Sequence, residues 1–464
     1  VGNRPIAMGR AEAPQGIEMP LAELLGAFSH ALDLTEGQPV GHCLRTCWIG
    51  SRIGRFLGLD AQDLHDLYYV LLLKDLGCSS NAARISALYL ADDRRFKGEY
   101  KLVGEGVPAV LRFLFATTGR GAPAHRKMGA LMHILRNGGT IAQEMIETRC
   151  TRGAEIARTL RFSEGVAAGI YSLDEHWDGT GRPRALAGEA IPLFSRIALL
   201  AQVAEVFHAA GGPDAAIAEV RRRCGSWFDP ALVRAFNHVV REPRFWEDLA
   251  NHDDIEALVL TLEPGRAAVI VDEDYLDDIV AAFGQVIDAK SPYTAGHSHR
   301  TADLTVKLAA RLGLDPAVQR WLRRGAFLHD IGKLAVSSAI LDKPGRLDPA
   351  EWAEIRGHAA QTQAILGRIS ALADIAPIAA AHHERLDGRG YPQRLSSTSI
   401  SLPTRIITIC DWYDALTSER PYRPALTTAQ ALEVIEREVG RAIDRKCFMA
   451  LREMCGDREE VVAA

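Results

Sequence analysis

Basic residues are not in excess in this chain: 54 Lys and Arg stand against 59 Asp and Glu, a formal net charge of −5. Duplex DNA binding, which rests on neutralising phosphates, is therefore disfavoured. A small anionic substrate stays open, because the charge of a site can oppose the net charge. Paired cysteines are missing as well. The eight cysteines (43, 47, 78, 150, 224, 410, 447 and 455) include no Cys-x-x-Cys spacing and read as reduced thiols, not as a disulfide framework. No charged-then-apolar leader opens the chain, and the apolar run 67–73 is far too short to span a bilayer. These absences predict a cytoplasmic protein with neither duplex nucleic acid nor membrane among its partners.

Helical periodicity is present almost throughout, from about Leu21 onward, with Gly, Pro and Asp as punctuation. An all-α fold is expected, and 464 residues are too many for one core. Residues 1–16 read as a flexible leader. The stretch Ala267-Ala268-Val269-Ile270-Val271 breaks the helical pattern, so the expected division is a first domain over 17–255, a linker over 256–275 and a second domain over 276–464.

The two halves repeat one another. Gly41-His42-Cys43-Leu44-Arg45-Thr46 matches Gly296-His297-Ser298-His299-Arg300-Thr301 at an offset of 255 residues, 297 against 42. Phe56-Leu57-Gly58-Leu59-Asp60 and Leu73-Lys74-Asp75-Leu76-Gly77-Cys78 match at the same offset. Asp178-Gly179-Thr180-Gly181 and Ser195-Arg196-Ile197 match at an offset of 209, 387 against 178, so the first half carries about 46 more residues within 91–146.

Metal-ligand chemistry is concentrated in the second half. His297, His329-Asp330, His358, His382-His383 and Asp411 appear in order at helices or helix ends, enough imidazole and carboxylate for two divalent ions. Taken singly, each has an ordinary alternative as a surface histidine or a solvated helix end. His358 lies on a helix with a marked start: Asp348 as N-cap, Pro349 in the first turn and Glu351 completing a capping box. Residues 384–392 form a glycine-rich loop whose backbone amides are candidates for approaching a phosphate. Asp411 stands beside the apolar stripe Ile406, Ile409, Tyr413 and Leu416, a costly place for a carboxylate without a cation. Asp414, one turn on, is a candidate acceptor orienting a ligand, and Cys410 reads as a core thiol.

These motifs resemble the HD-GYP family of bacterial metal-dependent phosphodiesterases within the HD superfamily. The resemblance spans about 275–450 and rests on Tyr293-Thr294-Ala295-Gly296-His297-Ser298, His329-Asp330-Ile331-Gly332-Lys333, His382-His383-Glu384-Arg385-Leu386-Asp387-Gly388-Arg389-Gly390-Tyr391-Pro392 and the run from Asp411 to Tyr422. It implies two tandem HD-type helical domains, of which the second hydrolyses cyclic di-GMP to pGpG and on to GMP with two divalent metal ions, iron or manganese. One ion would take His297, His329 and Asp411, the other His358, His382 and His383, with Asp330 between them. Family members with a third ion carry a further carboxylate where this chain has Tyr293, so the resemblance implies a two-metal site. The expected mechanism is in-line attack by a metal-bridging hydroxide. Lys333 would stabilise or protonate the departing ribose oxygen, and Asp387, Gly388, Gly390, Tyr391, Pro392, Arg420 and Arg423 would bind substrate, the two arginines as charge-assisted donors to the second phosphate. The alternatives are hydrolysis of another cyclic dinucleotide or nucleotide, and a signalling or interaction protein in which hydrolysis is incidental.

In the first half, His42 and Asp75 survive at ligand positions. Lys74 replaces the histidine of the His-Asp pair, Cys78 replaces the lysine, Leu173-Asp174 replaces His382-His383, Gln202 replaces Asp411, and the counterpart of His358 falls near Arg149 or Cys150. A lysine ammonium inside the cluster repels divalent ions, so no dinuclear centre is expected there. His125, His133 and His176 read as ordinary surface histidines. The degenerate half is expected to regulate, to dimerise or to sense a ligand, with a second copy or a diguanylate cyclase-type protein as the kind of partner it would serve.

Overall fold

The structure, a computed structural model, describes residues 19–104, 106–251, 254–264, 269 and 271–463, with side chains to residue 456. The expected leader and most of the 267–271 stretch lie outside the described residues. Within them, every regular element is an α-helix or a 3-10 turn, and only isolated β-bridges join extended residues. The local rules that shape these helices are visible in the sequence. Asp348 accepts hydrogen bonds from the backbone N–H groups of Ala350 and Glu351 while the Glu351 carboxylate accepts from Asp348 N at 2.7 Å, so Pro349–Leu366 starts where its capping box puts it. Asp272 caps Glu273–Asp288 by accepting from Tyr275 N at 2.7 Å.

The repeat is structural as well as sequential. His42–Phe56 and Ala61–Leu73 correspond to His297–Arg311 and Pro316–Leu328 at the offset of 255, which also lays residues 21–33 of Leu21–Glu36 on residues 276–288 of Glu273–Asp288. The halves meet in a reciprocal way. Leu21–Glu36 packs on the turn Ile331–Ala335 and on Pro349–Leu366, while Glu273–Asp288 packs on the corresponding turn Cys78–Asn81 and on Ala124–Thr159. Phe28 and Phe283, themselves 255 apart, stack with ring centroids 3.9 Å apart. Equivalent surfaces facing each other are the signature of an isologous, dimer-like interface, here closed within one chain. A single apolar core runs through it from Met19 to Cys455. At the start of the expected linker Ile255–Leu260 is helical, and Ile255, just before the linker, and Val259, Leu262 and Val271 within it are buried in that core.

The surplus of the first half forms Asp93–Tyr100, Val107–Thr117 and the first turns of Ala124–Thr159, around a small second core of Ile85, Phe96, Leu114, Leu131 and Ile134. One helix, Leu193–Arg222, is long and apolar enough by length and composition to cross a membrane. Its residues 197–206 are largely buried in the main core, and its helical geometry breaks at Gly212, where φ is 76°.

Candidate metal centre

Five helices and two turns deliver the ligand-type residues. His297 opens His297–Arg311, His329 ends Pro316–Leu328, Asp330 leads into the turn Ile331–Ala335, His358 sits mid-way along Pro349–Leu366, His382 and His383 follow Ala376–Ala380, and Asp411 lies on Leu402–Thr417. His382 and His383 sit in the turn that follows the short helix Ala376–Ala380. The segment is divided, with a 3-10 turn Ser370–Leu372 before the short helix. Gly332 lets the turn close on His358: a Cβ there would stand 1.9 Å from the His358 carbonyl oxygen. Thr362 then ties the two elements, accepting from Gly332 N at 3.1 Å and donating to the His329 carbonyl at 2.9 Å.

The imidazoles are oriented from behind. His329 Nδ1 bonds the Ala326 carbonyl at 2.7 Å, His358 Nδ1 that of Ile355 at 2.5 Å, and His382 Nδ1 that of Ala379 at 2.6 Å. His297 Nδ1 bonds Asp414 Oδ2 at 2.7 Å, and Arg300 holds the other Asp414 oxygen at 2.6 Å. With each Nδ1 engaged from behind, the Nε2 atoms turn toward one another. His297 Nε2 lies 3.3 Å from His329 Nε2, and His358 Nε2 lies 3.5 Å from His382 Nε2. Asp330 stands between the two groups. Its Oδ2 lies 3.6 and 3.4 Å from His297 and His329, its Oδ1 3.5 and 3.7 Å from His358 and His382. Asp411 Oδ1 is 3.4 Å from His297 Nε2 and 3.7 Å from His329 Nε2. His358, His382 and His383 form one group with metal-binding spacing, and His297, His329 and Asp330 another; a third is His329, His382 and Asp411.

The electrostatics divide the same way. Burial opposes charge on His297 and His329, yet the carboxylates of Asp330 and Asp411 outweigh it: His297 is raised well above the ordinary histidine value and His329 to about 9. Burial lowers His358 to about 4 and, with His358 beside it, His383 to about 3; burial and His383 push His382 well down. Asp330 is held far below the usual carboxylate range against the effect of burial, by Lys333 and His329, and Asp411 likewise by its bonds to His297 and His329. The neutral His358 and His382 face each other with Nε2 lone pairs, which repel, and Asp330 Oδ1 is buried with no hydrogen-bond partner, a deficit of about 1–3 kcal/mol if left unmet. Cations between these atoms would answer both conditions, so the donor set fits divalent metal.

The remaining predicted residues divide. Lys333 reaches the centre, its Nζ 2.5 Å from Asp330 Oδ2. Tyr391 lies against the site with its ring 4.7 Å from that of His383. Four of the loop amides are taken up within the protein and do not face a phosphate. Those of Asp387, Gly388 and Tyr391 bond the carbonyls of Arg441, Arg385 and His383, and that of Arg389 bonds Asp387 Oδ1. Gly388 instead supplies a left-handed φ of 72°, and Gly390 a close backbone approach, since a Cβ there would stand 2.4 Å from Arg385 N. Pro392 follows a cis peptide bond, and Asp387 pairs with Arg385. The Arg423 guanidinium departs from the expected phosphate grip, because it bonds the carbonyls of Ala415, Leu416 and Pro424 and caps Leu402–Thr417. The half-buried Arg420 side chain makes no ion pair or hydrogen bond among the described residues. Two contributors escaped the sequence reading. Arg300, which steadies Asp414, was signalled only by its repetition as Arg45. Glu384 pins the loop by accepting from Gln393 N at 2.6 Å and Leu395 N at 2.9 Å.

The first half keeps this frame and replaces the cations. His42 Nδ1 bonds Glu205 and Arg45 Nε holds Glu205 at 2.6 Å, as His297, Asp414 and Arg300 do in the second half. A Cβ on Gly77 would stand 1.9 Å from the Arg149 carbonyl, which makes Arg149 the counterpart of His358. Lys74 Nζ sits 3.0 Å from His42 Nε2 and bonds Asp75, the counterpart of Asp330, while Arg149 pairs with Asp174. Two fixed positive charges thus stand where the second half places the imidazoles of His329 and His358. Glu36, Asp75 and Cys78 also have metal-binding spacing, but Lys97 and Lys101 pair with Glu36. His125 and His133 are exposed, and His176 stacks on Trp227 at 4.1 Å.

A family model described as "HD domain" matches residues 124–232 and 282–447. The 3'3'-cGAMP-specific phosphodiesterase 3 of Vibrio cholerae serotype O1 is 53% identical over 433 residues, covering 93% of this chain and 94% of that protein. A cyclic di-GMP phosphodiesterase of Pseudomonas aeruginosa is 40% identical over 143 residues, 30% of this chain and 34% of that protein. A crystal structure of a cyclic GMP-AMP specific phosphodiesterase of V. cholerae aligns with a TM-score of 0.65 and 47% identity over 95% of this chain and 98% of that one.

Proposed function

The chain belongs to the HD domain family, and from that membership we propose that it is a metal-dependent phosphodiesterase opening cyclic dinucleotides at the centre of its second half. The observation carrying this reading is Asp330: each of its oxygens faces a separate group of histidine Nε2 atoms, and Oδ1 has no other partner. His297, His329 and Asp411 would hold one divalent ion and His358, His382 and His383 the other, with Asp330 shared. When bound, such ions supply Lewis acidity and make a coordinated water acidic near neutral pH.

The chain's own residues do the rest. Asp414, held by Arg300, fixes the His297 ring, and backbone carbonyls fix His329, His358 and His382, so the ligand set is preorganised. In the reaction a water oxygen bonds to phosphorus while the P–O3' bond breaks, leaving a linear dinucleotide with a 5'-phosphate. The Lys333 ammonium, partly exposed and anchored on Asp330, stands ready to give a proton to the departing ribose oxygen. Arg420 offers a free guanidinium for the second phosphate.

For the substrate, 3'3'-cGAMP takes precedence over the cyclic di-GMP implied by the motifs. The relative named for 3'3'-cGAMP is alike over nearly the whole of both chains, whereas the Pseudomonas relative named for cyclic di-GMP matches under a third of this one. A panel of 3'3'-cGAMP, cyclic di-GMP, cyclic di-AMP and mononucleotides, offered to protein loaded with Fe(II) or Mn(II), tests it. Fastest turnover is expected with 3'3'-cGAMP, and Asp330→Ala should leave roughly one-hundredth of the rate or less. Failure of the loaded protein to open any cyclic dinucleotide would remove the reading.

A further inference from the structure

We propose that Asp93 and Arg94, in the segment that only the first half carries, are positioning residues for the second-half centre: they staple the chain entering His297 to the chain leaving Lys333. The proposal rests on the functional reading above for its consequence, though not for its geometry.

Asp93 opens the helix Asp93–Tyr100 and is fully buried. Its Oδ2 lies 2.7 Å from the Nζ of Lys290, itself 1% exposed, and its Oδ1 accepts from Ser338 N at 2.8 Å. Lys290 and Ser338 also touch directly, the serine hydroxyl donating to the Lys290 carbonyl at 3.2 Å. Lys290 lies seven residues before His297, and Ser338 eight after Asp330. One carboxylate therefore joins both strands of chain that flank the ligands. Arg94 adds a second link. Its guanidinium donates to the carbonyl of Ala335, last residue of the turn bearing Lys333, and its Nε donates to the Leu34 carbonyl at 3.0 Å.

The staple has a firm base. Lys97, one turn along the same helix, donates to the carbonyls of Thr35 and Cys78 at 3.0 and 2.9 Å, anchoring the helix on the first half. Gly37 permits this approach, since a Cβ there would stand 2.2 Å from the Arg94 carbonyl oxygen. The arrangement is one-sided in an otherwise reciprocal interface. The counterparts of Lys290 and Ser338 at the offset of 255 are Thr35 and Ala83, and the second half lacks the inserted helix. A buried ion pair adds little net stability over apolar packing, and its best-attested use is to fix register. Here the register fixed is that of Lys333 and His297 relative to each other.

The test uses full-length, metal-loaded protein carrying Asp93→Asn, Arg94→Ala or, as a control on the same helix, Arg95→Ala. Amide hydrogen exchange over 331–338, bound metal, kcat and KM are measured on each. Both staple variants should exchange at least about tenfold faster at Ser338 and across the turn, because their opening free energy is lowered. With wild-type metal content and KM within about threefold, their kcat should fall about 10- to 100-fold, the scale of an ångström misplacement. Arg95→Ala should match wild type in every respect. Unchanged exchange overturns the staple, and faster exchange with unchanged kcat overturns its positioning role. Should Asp93→Asn fail to fold, the half-buried Arg94→Ala decides. If wild-type protein opens no cyclic dinucleotide, the functional reading fails, and exchange still settles whether Asp93 and Arg94 hold the turn.

Discussion

The histidines of the centre are of two kinds, and the difference sets how protons compete with metal. His358 and His383, lowered to about 4 and about 3, are neutral above pH 5 and ready to bind. His329, raised to about 9, holds a proton in the metal-free protein at neutral pH, and the carboxylates around His297 favour its protonated form. Metal must displace those protons, so affinity at His297 and His329 should rise as pH increases from about 6 to 9, while affinity at the other group stays flat. For the metal-free fold the sign is the opposite. Stabilisation from the raised pKa of His329 is complete below its unfolded value near 6.5 and is lost as pH rises through about 9. Calorimetric metal titrations in two buffers of different ionisation enthalpy would read the released protons. In the first half, Lys74 takes the role of an internal cation. Burial opposes its charge, yet Asp75 holds its pKa above the ordinary lysine value and is itself held low. Lys74→Met should destabilise the protein by about 3–5 kcal/mol in denaturant unfolding, by leaving Asp75 buried and unpaired, with metal per chain unchanged. At this scale the sequence was most legible where chemistry repeats. His297 and its mate His42 announced each other, and the loss of ligands at 74, 173, 174 and 202 was plain. Arg423 was not legible, because a basic residue three positions after another looks the same whether it meets phosphate or the carbonyls at a helix end.

Among elements, the turn after His329 has the least freedom. Gly332→Ala would push a Cβ to 1.9 Å from a backbone oxygen of the His358 helix, so the two ligand groups must move apart. The expected outcome is a folded, helical protein that binds metal at least about tenfold more weakly, measured by chelator competition, with stability lowered by roughly 1–3 kcal/mol. Helix starts were readable because capping is local: Asp348, Pro349 and Glu351 are neighbours in sequence. The glycine-rich loop is legible as a loop, but the engagement of the Asp387, Gly388, Arg389 and Tyr391 amides within the protein is not. Its hydrogen bonds go partly to Arg441, 54 residues on from Asp387, and no local pattern announces such a partner. For the same reason the role of the inserted helix Asp93–Tyr100 stayed hidden, since Lys290 and Ser338 lie about 200 and 245 residues away in sequence.

The whole molecule behaves as a dimer made within one chain. Leu21–Glu36 is buried on nearly all sides between its own half and the second, and Phe28 stacks on Phe283 across the pairing. Residues 256–464 alone would expose that apolar face and lose the partner of Lys290, so the truncated protein should aggregate or expose hydrophobic surface to a dye such as ANS. Equal solubility, dye binding and melting temperature would show that the shared core is dispensable. The repetition, and with it the pairing of an intact half with an altered one, was visible in the sequence, but reciprocal packing was not, because an offset between motifs carries no information about which faces meet. A two-metal hydrolytic centre is tested most directly by stepwise metal reconstitution, with bound ions per chain and the rate of 3'3'-cGAMP opening measured on the same samples. Turnover should be negligible in metal-free protein, activity should be full only near two ions per chain, and Asp330→Ala should respond little to metal. Full activity without bound metal, or an Asp330→Ala protein as active as wild type, would contradict it.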